Sequence, residues 1–244
     1  MPTSLLVESS RKLSQAVDAL GFGDPVAVVY NPLNYARDAH EAYLERFGRG
    51  RRRVVFLGMN PGPFGMAQTG VPFGEIAAVR DWMCIHESVG RPAGEHPKRP
   101  VSGFDCPRSE VSGRRLWGAV KGEFGEPEKF FEHHFVANYC PLVFMEQSGK
   151  NRTPDRLPRD EREALFEVCD RRLVDLVAAM EPAWVVGVGR FAAQRARSAL
   201  EGGDVQVGVV LHPSPASPMA NRDWEGTVRR QLVEQGICDS CPRD

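Results

Sequence analysis

Apolar residues recur at helical spacing at the start of the chain, at Leu5, Leu6, Leu13, Val17 and Leu20, until Gly21 and Gly23 interrupt them. The spacing predicts an amphipathic helix. Val26 to Tyr30 reads as a short strand ending at Asn31-Pro32, and Ala36 to Phe47 as a second helix closed by Gly48. Arg53 to Leu57 predicts a buried strand. A loop-rich stretch follows, from Pro61 to about Cys106, broken by a helix near Ile76 to Met83. Ser112 to Phe124 is expected to be helical, with Trp117 and Val120 on one face, and Phe135 to Asn138 extended. Leu165, Cys169, Leu173, Leu176, Val177 and Met180 form the clearest amphipathic pattern, stopped at Glu181-Pro182. Trp184 to Val188 reads as a strand, Phe191 to Leu200 as a helix, Gln206 to Leu211 as the last strand and Trp224 to Gln235 as the last helix.

Strands alternating with helices imply an α/β protein whose parallel sheet is covered on both faces. The sequence has no internal repeat, low-complexity tract or linker, so residues 1–244 are expected to form one domain. In such a sheet, ligands bind in the crevice outside the carboxyl ends of the strands. Two segments fall there. Gly58-Met59-Asn60-Pro61-Gly62-Pro63-Phe64-Gly65-Met66, running on to Phe73-Gly74-Glu75, follows the Arg53–Leu57 strand; His212-Pro213-Ser214-Pro215 follows the last strand. They are expected to leave adjacent strands and to converge.

Composition narrows the partners. Hydrophobic residues make up 42% and charged residues 26% of the 244, which suits an ordinary globular core. The formal charge of −1 argues mildly against binding through many phosphates. Basic residues nevertheless gather at Arg49-Gly50-Arg51-Arg52-Arg53, Lys98-Arg99, Arg114-Arg115 and Lys150-Asn151-Arg152, each readable alone as a solvated surface. The start of the chain lacks the pattern of a signal peptide, and no apolar run is long enough for a bilayer. An intracellular monomer with reduced thiols and no membrane partner is expected. Cys238-Asp239-Ser240-Cys241 has no second pair at metal-ligand spacing, so neither metal nor cofactor is expected.

Several short patterns compete. Gly187-Val188-Gly189-Arg190-Phe191-Ala192 fits a dinucleotide fingerprint, but the next strand ends in His212 where an acidic residue would hold the ribose. A glycine-eased turn fits better. His133-His134 and the pair His86 and His96 lack helical metal-site spacing and read as surface or capping residues. Asn60 alone could be a turn former, and His212 alone a loop cap. Their joint placement at strand ends favours a catalytic pair.

At these residues the chain resembles the single-strand-selective monofunctional uracil-DNA glycosylases, within the uracil-DNA glycosylase superfamily. The likeness runs from Tyr30-Asn31-Pro32 through Gly58–Glu75, His96-Pro97-Lys98-Arg99-Pro100, Ser109-Glu110-Val111-Ser112-Gly113 and Asn138-Tyr139-Cys140-Pro141-Leu142 to His212-Pro213-Ser214-Pro215. It implies a three-layer α/β/α sandwich around a short parallel sheet. It implies excision of uracil, and of 5-substituted uracils such as 5-hydroxymethyluracil, from single- or double-stranded DNA, leaving an abasic site for base excision repair. By the resemblance, Asn60 orients the attacking water and His212 stabilises the leaving base. Phe73 stacks on the flipped uracil, Asn138 reads its edge and Met59 lies against the pocket. Gly62 leaves room at uracil C5. Ser148, Lys150, Asn151, Arg152 and Thr153, and Ser214, Ala216, Ser217, Pro218 and Met219, match loops that grip and wedge DNA.

Neither core motif contains a lysine, so Schiff-base strand cleavage is not expected. Ala216 and Ser217 are small where many relatives carry a larger basic or amide residue, which implies a weak hold on matched duplex. A superfamily member tuned to xanthine, hypoxanthine or mismatched thymine is the nearest rival reading. A silent nucleic-acid-binding module and a dinucleotide-dependent enzyme are the others.

Overall fold

The structure, a computed structural model, describes residues 4–238. Helix α1 (Leu5–Asp18) begins where the Ser4 hydroxyl accepts from the Val7 amide, and buries Leu6, Leu13 and Val17. Strand β1 (Val28–Tyr30) leads into the short α2 (Pro32–Tyr35), capped by the Asn31 side chain, and then α3 (Arg37–Phe47). Strand β2 (Val54–Gly58) feeds the first motif, in which α4 (Met66–Thr69) is a single turn. A π-helical turn (Ala78–Trp82) replaces the helix expected near Ile76 to Met83. Next come α5 (Val111–Phe124), α6 (Pro127–Phe131), β3 (His134–Asn138), β4 (Val143–Met145) and β5 (Asn151–Arg152). The chain continues through α7 (Arg159–Met180), β6 (Trp184–Val188), α8 (Arg190–Ala199), β7 (Gln206–Val210) and α9 (Pro218–Glu234).

The main sheet is parallel throughout, in the order β3-β2-β6-β7. Period-two alternation sends Val55 and Leu57 of β2 to one face and Val54 and Phe56 to the other. The first face packs on α1, α3, α7 and α8 through the large core that includes Leu44, Leu173, Leu176 and Ala196. On the second face Val186, Val188 and Val210 meet Val228 and Leu232 of α9. Gly187 is what lets α8 lie so close to the sheet, since a Cβ there would stand 2.2 Å from the Ala193 nitrogen.

Three expectations are corrected. Strand β1 does not join the parallel sheet: it pairs antiparallel with β4, which pairs antiparallel with β5, in a separate three-stranded sheet. Strands β4 and β5 are too short for their own periodicity to be read. The strands feeding the two motifs are not neighbours either, because β6 lies between β2 and β7. Helix α9 also starts earlier than Trp224. It bends at Asp223, whose carboxylate caps the second segment by accepting from the Gly226 amide at 2.8 Å, so periodicity showed only that second part. Among the described residues, no helix is long and apolar enough to cross a membrane. The C-terminal Cys-x-x-Cys runs into residues outside the described range.

Candidate active site

Strand register builds the site's floor. Asn138, the last residue of β3, is paired with Gly58, the last of β2, and Val188 of β6 with Val210 of β7, so the four strands end almost level. Asn60 and His212 each lie two residues past such an end, on the same edge of the sheet. With one strand between, their parent strands are about 10 Å apart, two inter-strand spacings. The two residues thus border a gap above β6, the candidate slot. Its floor over β6 carries no side chain at Gly189, whose φ of +97° suits glycine; a Cβ there would come within 3.3 Å of the His212 Cβ. The glycine pattern read as a turn thus seats the histidine.

Gly58 brings two of the resemblance-implied residues together. A Cβ at this position would lie 2.3 Å from Asn138 Oδ1 and 2.6 Å from the Phe73 ring. Sequence reasoning placed Gly58 in the motif without giving it work; its neighbours come from β3 and from a loop fifteen residues downstream. The Asn138 amide nitrogen donates weakly to Met66 Sδ at 3.3 Å, a contact also missed from sequence. That leaves Oδ1 toward Gly58 and Phe73.

Phe73 holds a left-handed backbone with φ of +52°, uncommon for an aromatic residue. Its carbonyl is held by two donors, the Glu75 amide at 2.7 Å and Trp117 Nε1 at 3.1 Å. A Cβ on Gly113 would overlap that carbonyl at 1.9 Å, so α5 lies directly beneath it. Glu110 caps α5, accepting from the amides of Ser112 at 2.9 Å and of Gly113, and burial raises its pKa. The Phe73 ring faces His212 with centroids 6.1 Å apart and planes inclined by 43°. Burial lowers the His212 pKa, so the imidazole is neutral at neutral pH.

Asn60 is fixed by the β3–β4 connection. Its amide nitrogen donates to the Leu142 carbonyl at 3.1 Å and to the Pro61 carbonyl at 3.4 Å. A carbonyl can only accept, which settles the orientation of the carboxamide. Oδ1 then accepts from no protein group among the described residues and is left for a water. Half-buried Met59 accepts at its carbonyl from the Cys140 amide at 2.9 Å, tying the two strand exits together. Gly62 is open: a Cβ there would meet nothing within 4 Å.

The remaining expected residues form two groups. Ser148 and Lys150 are exposed in the hairpin turn between β4 and β5, with Asn151, Arg152 and Thr153 half-buried after it. Arg152 is not a free cation, because its guanidinium pairs with Glu146 at 3.0 Å. Lys98 Nζ and Arg99 Nε reach the turn carbonyls of Ser148 and Gly149 at 3.3 and 3.0 Å, and the Phe64 ring lies under Arg99 and Arg108. Lys98, Arg99, Arg108 and Lys150 thus make a basic rim, of which sequence reasoning assigned only Lys150 to DNA. His96, expected at the surface or as a cap, is 2% exposed; it accepts at Nδ1 from the Lys98 amide at 3.1 Å, donates through Nε2 to the Gln147 carbonyl and seats the turn.

In the second group, Ser214 and Ser217 work within the loop itself. Ser214 Oγ accepts from the Ala216 amide at 3.2 Å, and Ser217 Oγ caps α9 through the Ala220 amide at 3.3 Å. Ala216, Pro218 and Met219 project outward, Met219 being 57% exposed. No group of three or more metal-ligating side chains occurs among the described residues.

Comparison with known proteins identifies the family and the fold. The family model described as "Uracil DNA glycosylase superfamily" matches residues 45–232. A curated rat protein, "Single-strand selective monofunctional uracil-DNA glycosylase", is 52% identical over 95% of this chain and 84% of its own length. The bovine protein of that name is 50% identical over 95% of this chain and 86% of its own. The crystal structure of wild-type Pedobacter heparinus SMUG2 superposes with a TM-score of 0.66 at 16% identity, covering 94% of this chain and 97% of that one.

Proposed function

The chain belongs to the uracil DNA glycosylase superfamily, among its single-strand-selective monofunctional members, and from that premise we propose a residue-level account of how it excises uracil from DNA. The supporting observation is the meeting of Phe73, Asn138 and His212 around one slot, with Asn60 on the same sheet edge.

The target nucleotide must leave the base stack before its glycosidic bond is reachable, at an expense of a few kcal/mol. Stacking on Phe73 returns part of it, typically about 1–3 kcal/mol per base. Asn138 can accept from uracil N3–H through Oδ1 and donate to O4 through its amide, whereas cytosine offers the opposite pattern. Bond cleavage gives a cationic sugar and a uracil anion. A neutral His212 donating to O2 opposes the build-up of that negative charge; donors placed this way are typically worth about 3–4 kcal/mol. Water held by the free Oδ1 of Asn60 attacks the cationic sugar, and the proton it sheds neutralises the uracil anion through solvent, leaving neutral uracil and an abasic sugar. The sugar cation is electrophilic enough that positioning a water outweighs strong general-base catalysis, so an amide suffices. No covalent enzyme intermediate is required, and strand cleavage does not follow.

Open space at Gly62 supports acceptance of substituents at C5, 5-hydroxymethyluracil among them. The basic rim formed by Lys98, Arg99, Arg108 and Lys150 supports a backbone track on one side of the slot, and the exposed Met219 supports an apolar insertion on the other. We infer that the protein acts as a monomer. The deciding experiment is incubation with a uracil-containing single-stranded oligonucleotide in the presence of a chelator. Alkali-labile sites should form, no strand break should precede the alkali, and Asn60→Ala should lose about 100-fold or more in rate. An Asn60→Ala variant as fast as the parent would remove the water-positioning role.

A further inference from the structure

We propose that Arg115 is the positioning residue for His212. This assignment rests on the glycosylase reading above, in which His212 supports the departing base.

Among the described residues, neither imidazole nitrogen of His212 has a hydrogen-bond partner, so the ring is placed by its own backbone and by packing against Gly189 and Phe73. That backbone is anchored just before the histidine, where the Leu211 amide donates to Gln231 Oε1 at 2.7 Å and its carbonyl accepts from Trp224 Nε1 at 2.8 Å. After it, Pro213 and Pro215 have no amide proton to contribute. The carbonyls are held instead. Arg115 Nη1 donates to those of Pro213 at 3.1 Å and Ser214 at 3.4 Å, and Asn221 Nδ2 donates to that of Pro215 at 2.9 Å. Arg115 Nη2 also donates to Asn221 Oδ1 at 2.7 Å, joining the two anchors. Three consecutive carbonyls after the histidine are therefore gripped by one guanidinium and the amide it orients. The planar fork of an arginine suits this task better than a lysine's point donor.

Position along α5 gives the arrangement a further consequence. Gly113 lies beneath the Phe73 carbonyl and Trp117 donates to it, while Arg115, between them in sequence, reaches the His212 loop. One helix with no group of its own in the reaction thereby sets both walls of the slot, the stacking ring and the imidazole. Arg114, the other half of the basic pair, is exposed, whereas Arg115 is half-buried.

The test is a double-mutant cycle on uracil excision from single-stranded DNA under single-turnover conditions, using the parent, Arg115→Ala, Arg115→Lys, His212→Ala and the Arg115→Ala/His212→Ala pair. Arg115→Ala should lower the rate by about 10- to 100-fold, the scale of a misplaced catalytic group, with Arg115→Lys in between. Affinity for the same DNA, measured with the slow His212→Ala background as well as by the onset of turnover, should stay within about twofold. In the His212→Ala background the Arg115 change should add little, because both act through one imidazole. Additive losses, or weaker binding with an unchanged rate, would overturn the proposal and make Arg115 a structural or phosphate-contacting residue. A second readout is independent of turnover: the imidazole NMR signals of His212 should shift in Arg115→Ala and Arg115→Lys, and unmoved signals would refute the assignment. A parent enzyme inactive on uracil would instead undo the glycosylase reading, leaving the NMR result to judge the arginine.

Discussion

At the scale of single residues, the site depends as much on side chains that are missing as on those present. Gly58 matters because Asn138 and Phe73 both occupy the volume of its absent Cβ. Gly58→Ala should therefore leave a folded protein whose base-reading amide and stacking ring are pushed apart, with excision reduced by about 100-fold. Circular dichroism alongside the kinetics will separate this from unfolding, and a rate within a fewfold of the parent would contradict the packing described here. Gly62 is the opposite case, since nothing stands near it. Gly62→Tyr should fold normally and should suppress excision of 5-hydroxymethyluracil more than that of uracil. Equal losses on both bases would mean that the C5 edge does not face this loop.

Among elements, helix α9 and its approach decide how DNA is opened. Sequence reasoning treated Ala216 and Ser217 as a small, weak wedge, but Ser217 is occupied in capping the helix. The large exposed apolar side chain at that end is Met219, in the first turn beside Pro218. Insertion into a stacked duplex needs such a group, while an unpaired strand does not. Met219→Ala should lower excision from duplex DNA by about fivefold or more and leave single-stranded substrate within about twofold. Parallel losses on both substrates would rule out a wedging role. The hairpin of β4 and β5 makes a related point: Arg152, matched by the resemblance to a DNA-gripping loop, pairs with Glu146, whereas Arg99 and Arg108 flank Phe64 without appearing in any motif assigned to DNA.

For the whole molecule, buried histidines link stability to pH. His40 donates from Nδ1 to the Gly70 carbonyl, and burial lowers its pKa from 6.5 to about 4. The unfolded chain thus takes up a proton near pH 6.5 that the folded chain refuses until about pH 4, and folding stability falls across that window. Burial moves His134 and His212 in the same direction. Glu110, raised by burial, acts oppositely: its contribution is largest at low pH and fades as pH rises through its folded value. Urea unfolding at pH 7.5 and pH 5 should show a smaller loss in His40→Gln than in the parent, by about 2 kcal/mol. Equal losses would mean that His40 is not neutral in the folded protein.

By itself, the sequence determined the alternation of strands and helices, the two loops that carry Asn60 and His212, and their place at carboxyl-terminal strand ends. Those features are local: an apolar run of a given period, or a proline after a strand, has the same meaning wherever it falls in the chain. Tertiary structure decided the rest. That β6 separates the two motif strands, that β1 leaves the parallel sheet for β4, that Gly58 gives its volume to Asn138 and Phe73, and that Arg115 grips a loop 98 residues away are all matters of pairing between distant segments. A glycine reads the same in a turn as beneath an aromatic ring, and an arginine the same in solvent as on a carbonyl. Only the neighbours that folding brings differ, and periodicity along the chain carries no record of them.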